Sequence, residues 1–318
     1  MKPSGSRLLS PIPLVVIVGP TASGKSSLAL RVAESIGGEI IACDALQVRA
    51  GLPLLTAKPT EAELLRIPHH LIGVFAADEP ATAARYAELA DAAISDIHSR
   101  GRRVVLCGGT GLYLRALCEG LVATPSGHPE LRNQLRSEAE SLGTAALHQR
   151  LQAIDPESAA RIAPADYVRI ERALEVHALT GRTMTDWHRE HQQERTQGPR
   201  YETLRIGLDP GPDKLRQRIL LRTQGWLAHG LREEVAAFDA AFGPMRFPPL
   251  GYEQVLRHIT GSEAERINED SLIRELCQKT AQYARRQRIW FRSEPGITWF
   301  PDVSAVPITI TSQPQPHL

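Results

Sequence analysis

The sequence predicts an α/β fold: a core built on a parallel sheet, interrupted by an all-helical insertion. Three observations predict it. Short apolar runs alternate with helical patterns in the first third of the chain, and the alternation returns after residue 200. The first of those runs leads directly into a glycine-rich loop followed by a helix. Between about 123 and 200 the pattern is helical throughout. Strands that alternate with helices pack as a parallel sheet covered by helices on its faces.

Leu14-Val15-Val16-Ile17-Val18 is β-branched and does not alternate with polar residues. Such a run fits a strand buried on both faces. Gly19-Pro20 ends it, and a helical pattern covers 25–36. Glu39 to Cys43 is a second strand candidate. Ala81 to Ser99 is alanine-rich with few breakers and reads as a helix that Gly101 stops. Val104 to Cys107 is a third strand, and Gly108-Gly109-Thr110-Gly111 leads into a helix over 112–119. The segment 124–129 is rich in turn residues and reads as a linker. Helical patterns follow at 130–142, 144–153, 156–162, 167–179 and 183–193, punctuated by Asp155-Pro156 and Thr180-Gly181. A strand signal returns at 204–208, followed by helices at 212–229, 231–241, 251–260 and 269–292 and a last short strand at 296–300. The tail from Ser304, with Pro307, Pro314 and Pro316, is expected to be loose. The expected division is a core of 1–122 and 201–318 around an insertion of 123–200.

Composition narrows the class. An apolar share of 42% and a charged share of 23% exclude a disordered chain, a collagen-like chain and a coiled-coil rod. Lys plus Arg is 37 and Asp plus Glu is 36, a net charge of +1 over 318 residues. Such a total argues against a nucleic-acid partner, although a total hides where the charges sit. Cys43, Cys107, Cys118 and Cys277 form no C-x-x-C pair, which excludes a zinc ribbon or a thioredoxin-type site and fits reduced thiols. Met1 to Pro13 has no signal-peptide core, and no run approaches the ~20 apolar residues of a membrane span. A soluble cytoplasmic protein is expected.

Gly19, Pro20, Thr21, Ala22, Ser23, Gly24, Lys25 and Ser26 fit the pattern G-x-x-x-x-G-K-[ST] between a buried strand and a helix. The context makes the core P-loop NTPase-like. The glycines let the backbone curl so that N–H groups point at phosphate oxygens, and the helix N-terminus favours negative charge. Lys25 supplies an ammonium for the terminal phosphate, and the Ser26 hydroxyl suits Mg²⁺, which prefers oxygen ligands. The third strand ends in Gly108-Gly109-Thr110 without an Asp, which weakens a motor or switch-type NTPase.

Asp44 follows the second strand and belongs at the sheet edge where α/β proteins bind ligands. It can hold Mg²⁺ indirectly, accept a proton from a nucleophile, or cap a turn. Thr110 is a second polar candidate at that edge, or a cap. His69-His70 has no third ligand nearby in sequence and reads as structural. Lys279, Arg285, Arg286, Arg288 and Arg292 fall in an acid-free stretch from Leu276 with Tyr283, Trp290 and Phe291 interleaved. That stretch reads either as a phosphate-backbone surface or as an amphipathic helix with solvated arginines; Trp290 and Phe291 read as core.

Taken together, ordered segments resemble one family, the tRNA dimethylallyltransferases (tRNA isopentenyltransferases). They are Gly19–Ser26, Glu39–Val48, Thr56–Pro59, Ile67–Ile72, Gly108–Tyr113, Arg172–Val176 with Thr180-Gly181, Gly230-Leu231 with Glu234-Val235, Leu250–Tyr252 and Tyr283–Arg292. The resemblance spans roughly residues 14–300. It implies a tRNA-binding role for the helical insertion. It also implies transfer of a dimethylallyl group from dimethylallyl diphosphate to N6 of an adenine beside the anticodon (A37) of tRNA, with release of diphosphate and Mg²⁺ as cofactor. The partners implied are the tRNA anticodon loop and dimethylallyl diphosphate, with no membrane, and the chain is expected to act as a monomer.

The resemblance also implies roles for individual residues. Asp44 is the catalytic base, with Thr110 and Lys25 assisting, and the phosphate loop with Arg222 holds the diphosphate. Asp44, Ala45, Leu46, Gln47 and Thr110 meet the target nucleotide, while Arg132, Val168, Arg169, Ile170, Glu171 and Arg172 meet the tRNA. The chain departs from the family pattern at Ala45, Arg49, Val168 and Glu253. Two alternatives compete: a P-loop small-molecule kinase, which leaves the insertion unexplained, and a tRNA-binding paralogue with impaired catalysis, motivated by Ala45 and Arg49.

Overall fold

The computed structural model describes residues 13–194, 200–245, 247–261, 268–307 and 309. The expectations for the segment before Pro13 and for Pro314 and Pro316 lie outside the described residues. The chain separates into two compact units, Met1–Cys118 with Arg200–Leu318 and Glu119–Pro199.

The first unit is built on six parallel strands: β1 (Pro13–Val18), β2 (Gly38–Ala42), β3 (His69–His70), β4 (Arg103–Gly108), β5 (Glu202–Leu208) and β6 (Ile297–Phe300). Their spatial order is β3-β2-β4-β1-β5-β6. β1 is central, pairing Val16 with Leu106 of β4 on one side and with Arg205 of β5 on the other. It is buried on both faces, as its continuous apolar run requires.

Helices cover the sheet. α1 (Lys25–Ile36) packs Leu28, Val32 and Ala33 against one face with Ile17 and Val105. α3 (Ala83–Ser99) and α4 (Gly111–Glu119) place Tyr86, Ile94 and Leu114 on the other, with Val16 and Leu106. α2 (Glu61–Arg66) and β3 are absent from the sequence reading. α2 buries no residue but is started by a capping box in which Thr60 and Glu63 satisfy each other's backbone N–H groups. β3 has two residues, too short for any periodicity to register. After the second unit, α10 (Pro212–Ala228), α11 (Leu231–Phe242), α12 (Tyr252–Thr260) and α13 (Glu269–Arg292) complete the first. Leu227, Leu231, Val235, Val255 and Leu272 form a separate core there.

The second unit consists of α5 (Pro129–Leu142), α6 (Thr144–Ile154), α7 (Pro156–Arg161), α8 (Tyr167–Thr180) and α9 (Met184–Glu194). Leu135, Leu147, Leu151, Ile170 and Leu174 are its centre. Asp155 caps α7 through Ser158 N–H and also accepts from Thr185 N–H, both at 3.0 Å, tying two helices together.

Candidate active site

In a wholly parallel sheet every strand ends at the same edge. Because β4 lies between β1 and β2, the loops after these three strands are neighbours at that edge. They carry the phosphate loop, Thr110 and Asp44.

Close backbone contacts set the loops. Gly19 adopts φ +144°, and a Cβ there would lie 2.3 Å from the Leu208 carbonyl oxygen. A Cβ on Gly108 would lie 1.9 Å from the carbonyl oxygen of Cys43, so only glycine lets the loops after β4 and β2 touch. That contact brings Thr110 to Asp44. Thr110 N–H donates to Cys43 O at 3.1 Å, and Thr110 Oγ1 accepts from Ala45 N–H at 2.8 Å. The Asp44 carboxylate accepts from Leu46 N–H at 2.9 Å, an Asx-type turn that leaves the other oxygen outside this bond.

Asp44, Gln47, Lys25, Ser26, Arg222 and Tyr283 line one cavity of about 780 Å³. Thr21, Ala22, Ser23, Gly24 and Leu46 also line it, whereas Gly19, Pro20, Ala45 and Thr110 do not. Thr110 therefore acts on the cavity through the Asp44 loop. One wall is apolar, with Leu54, Leu55, Ile72, Trp226 and Leu250.

The cationic side is supplied from three directions. Lys25 Nζ donates to Pro20 O at 2.8 Å, and burial pulls its pKa below the ordinary lysine value while Cys107 and Asp44 oppose the shift. Arg222 on α10 donates to Thr21 Oγ1 at 3.0 Å and stacks on Trp226 with its guanidinium carbon 4.6 Å from the ring centre. Its Nε is buried without a partner, and burial lowers its pKa to about 10. Arg218, one turn earlier, also lines the cavity and donates to Ser23 O at 2.8 Å, bracing the phosphate loop. A buried guanidinium with an idle donor, beside a lysine and a helix N-terminus, is a site for an anion of high charge. For a metal, Ser26 Oγ and the Asp44 carboxylate face the same cavity. Among the described residues no three His, Cys, Asp or Glu side chains cluster as metal ligands. The donor set therefore fits an ion that takes most of its oxygens from phosphate and water, as Mg²⁺ does.

The histidines behave as structural residues. His69 Nδ1 lies 2.8 Å from Ile67 O, and His70 Nε2 lies 2.7 Å from the buried Glu39 carboxylate. Their partners differ, so they do not form a metal pair.

In the second unit, the stretch 168–172 does not present a continuous surface. Val168 is 70% exposed and Arg169 is exposed, but Ile170 is fully buried in the helical core. Glu171 is buried and accepts from the Tyr167 hydroxyl at 2.7 Å. Helical periodicity turns the side chains of Ile170 and Glu171 inward, which leaves Val168 and Arg169 as the exposed side chains of this stretch. Arg172 donates to Thr124 Oγ1, Pro125 O and Glu175, at 2.8, 2.7 and 2.5 Å. Arg132 grips the same buried Glu175 with two bonds, at 2.7 and 3.0 Å. Both arginines hold the 124–132 segment onto α8.

The basic stretch on α13 is likewise divided. Arg288 pairs with Asp209 at 2.9 Å and Phe291 is core, whereas Arg285, Arg286 and Arg292 are exposed. Tyr283 and Gln287 face inward, to residues at the sheet edge. Burial pushes the Tyr283 hydroxyl well above the ordinary tyrosine range, and the side chains of Thr110 and Gln287 lie within its hydrogen-bonding reach. Sequence reasoning missed Gln287, Arg218 and Glu175 as supporting residues. Their signal was the helical spacing of Tyr283 and Gln287, one turn apart, and of Arg218 and Arg222.

Fold and site together define an α/β protein with a phosphate-loop sequence pattern, in which a lysine, an arginine and a carboxylate line one cavity, with a helical unit inserted after α4. The comparisons with known proteins narrow this further. Residues 47–294 match the family model described as IPP transferase. The tRNA dimethylallyltransferase of Anaeromyxobacter dehalogenans (strain 2CP-C) is 45% identical over 289 residues, 90% of this chain and 94% of that protein. The tRNA isopentenylpyrophosphate transferase of Bacillus halodurans superposes with a TM-score of 0.63 at 34% identity, covering 92% of this chain and 90% of that one. A eukaryotic dimethylallyltransferase whose structure was determined acting on tRNA superposes with a TM-score of 0.71 at 29% identity, covering 88% of this chain and 70% of that one. The chain belongs to the IPP transferase family.

Proposed function

We propose that this chain transfers a dimethylallyl group from dimethylallyl diphosphate to N6 of the adenine beside the anticodon (A37) of tRNA. The observation that carries the reading is a single cavity lined by both an anion-binding loop and the Asp44 carboxylate. Membership of the IPP transferase family supports the same reaction.

The chemistry follows from the residues. The lone pair on adenine N6 is delocalised into the ring, so the amine is a weak nucleophile. As it attacks the allylic C1, the C1–O bond breaks and its electron pair leaves with diphosphate. Asp44 takes the N6 proton as the C–N bond forms. Lys25, Arg222 and the loop N–H groups stabilise the charge growing on the leaving group. The apolar wall of Leu54, Leu55 and Leu250 suits the dimethylallyl chain and keeps water from it. Ser26 is the residue that would hold Mg²⁺, which neutralises diphosphate charge when bound. Thr110 keeps the Asp44 loop in place through Ala45 N–H. A target base must leave its stack to reach the site, which costs least in a loop.

The site is lined by residues of one chain, so a monomer suffices. Among the described residues no helix is long and apolar enough to cross a membrane, and Cys43, Cys107, Cys118 and Cys277 form no disulfide, which suits a reducing cytoplasm. No observation favours a kinase. The test is incubation of the protein with tRNA and dimethylallyl diphosphate carrying a labelled allyl group. Label recovered on N6 of A37 is the expected result. ATP-dependent phosphorylation of a small acceptor with unlabelled tRNA would refute the reading.

A further inference from the structure

We propose that Gln287 is a positioning residue that locks the diphosphate loop to the acceptor edge of the sheet. The inference rests on the prenyl-transfer reading for its meaning, but its geometry stands alone.

Gln287 lies on α13, far in sequence from both loops that it joins. Its Oε1 accepts from Thr21 N–H at 2.7 Å, and its Nε2 donates to Gly109 O at 2.9 Å. Thr21 belongs to the loop after β1 and Gly109 to the loop after β4. The side chain is buried, 5% exposed, so no water substitutes easily for either bond. A primary amide is the group that meets a donor and an acceptor together at one end. A carboxylate offers acceptors alone, an ammonium donors alone, and a thioether neither in useful strength.

The surroundings are shaped for this amide. A Cβ on Gly109 would lie 2.1 Å from Gln287 Nε2, and a Cβ on Gly111 would lie 1.9 Å from Trp290 Nε1. The two glycines form a notch that receives the inner face of α13. Tyr283, one turn before Gln287, lines the cavity with Asp44 and reaches Thr110.

Two consequences follow. Thr21 N–H is engaged by Gln287 and does not belong to the phosphate cradle. Its backbone is fixed so that Thr21 Oγ1 meets Arg222. The bridge also sets the spacing between the leaving-group site and the loop that carries Thr110 and, through it, Asp44. A displacement of ~1 Å between reacting groups costs on the order of 100-fold in rate.

The test uses the full chain with Gln287→Met, which keeps the length of the side chain without the bonds, and Gln287→Glu. The measurements are kcat, KM for each substrate, Kd for inorganic diphosphate, and Tm. Gln287→Met is expected to lower kcat about 100-fold and to weaken diphosphate binding several-fold, with KM for tRNA within about twofold. A residue of purely structural importance would lower Tm and leave these values unchanged in the folded protein. In Gln287→Glu a protonated carboxyl both accepts from Thr21 N–H and donates to Gly109 O, as the amide does. Its kcat relative to the parent should therefore rise as pH falls from 8 to 5.5. A folded Gln287→Met variant with kcat and diphosphate Kd within twofold of the parent overturns the proposal. If Gln287→Met does not fold, a Gln287→Glu activity ratio that stays flat with pH overturns it. If the parent moves no prenyl group to tRNA while Gln287→Met still loses diphosphate affinity, the positioning role stands and the reaction assignment fails.

Discussion

Replacing Asp44 by Asn separates the proton step from everything else the residue does. The Asn side chain keeps a carbonyl oxygen where Asp44 Oδ1 accepts from Leu46 N–H at 2.9 Å. The neighbouring bonds, Ala45 N–H to Thr110 Oγ1 and Val48 N–H to Asp44 O, do not use the side chain. The loop should survive, with a stability change within about 0.5 kcal/mol. The amide nitrogen cannot take the N6 proton. Removing a positioned general base costs roughly 10²–10⁴-fold, or about 2.7–5.5 kcal/mol in the barrier. A second effect has a definite sign. Burial is the main cause that depresses the pKa of Lys25 and of Arg222, and the Asp44 charge opposes it in both. Without that charge both cations lose their protons more readily, so the alkaline limb of kcat/KM should move to lower pH. At neutral pH, where Arg222 with a pKa of about 10 stays charged, inorganic diphosphate should bind at least as tightly, because a repulsive neighbour is gone. The assay is single-turnover transfer of labelled dimethylallyl to tRNA, paired with calorimetric titration of diphosphate. An Asn variant that transfers within tenfold of the parent would refute the base assignment. Diphosphate binding that weakens sharply in the presence of Mg²⁺ would instead make Asp44 a metal-site residue.

Three further outcomes are expected. Gly109→Ala places a Cβ 2.1 Å from Gln287 Nε2 and should cost more than tenfold in kcat with a lowered Tm, measured by transfer assay and calorimetry. Glu39 is buried under Arg100 and His70, and chiefly the Arg100 hydrogen bond lowers its pKa to about 2. The stability it contributes is complete above the ordinary value of 4.5 and is lost as pH falls toward 2, so Glu39→Gln should flatten the acid limb of a Tm–pH profile. Glu175→Gln weakens the charge-assisted bonds to Arg132 and Arg172 and should destabilise the helical unit by about 2 kcal/mol, read by urea denaturation; an unchanged midpoint would show that the 124–132 segment is held by other contacts.

Most of the fold was legible because its signals are local. The unbroken apolar run of β1, the glycines that follow it and the alanine-rich α3 each announce an element within a few residues. The loop between β2 and α3 was less legible. β3 gains its place by pairing Ile40 with His69, a contact that no two-residue window reveals. At the site, Lys25, Asp44 and Arg222 lie on one cavity, with Thr110 braced against the Asp44 loop. The supports were missed because their only signal, the one-turn spacing of Tyr283 with Gln287 and of Arg218 with Arg222, does not by itself say which side chains the fold buries. Within 168–172 the sequence does not by itself separate buried from exposed positions; α8 turns Ile170 and Glu171 into the helical core and leaves Val168 and Arg169 exposed.

The balance of charge takes on a different meaning once the partners are known. A total of +1 arises because many arginines are matched to carboxylates that hold the structure: Arg100 with Glu39, Arg115 with Glu294, Arg132 and Arg172 with Glu175, Arg288 with Asp209. These cations build scaffolding and say little about an anionic partner. Arg222 is different: it is buried, its pKa is lowered, and its Nε lacks a partner. Such a group is costly to the isolated protein, since Thr21, Trp226 and the Asp44 charge compensate only part of the desolvation. On the proposed function, a bound diphosphate would offset part of that cost by adding negative charge beside Arg222. The supporting residues come from α10 and α13, after the insertion, while the loop and Asp44 come before it. β1 itself is paired on both edges only when β5 is present. The core before the insertion is therefore incomplete both as a fold and as a site, and the two halves of the first unit are joined by the anion chemistry that they serve.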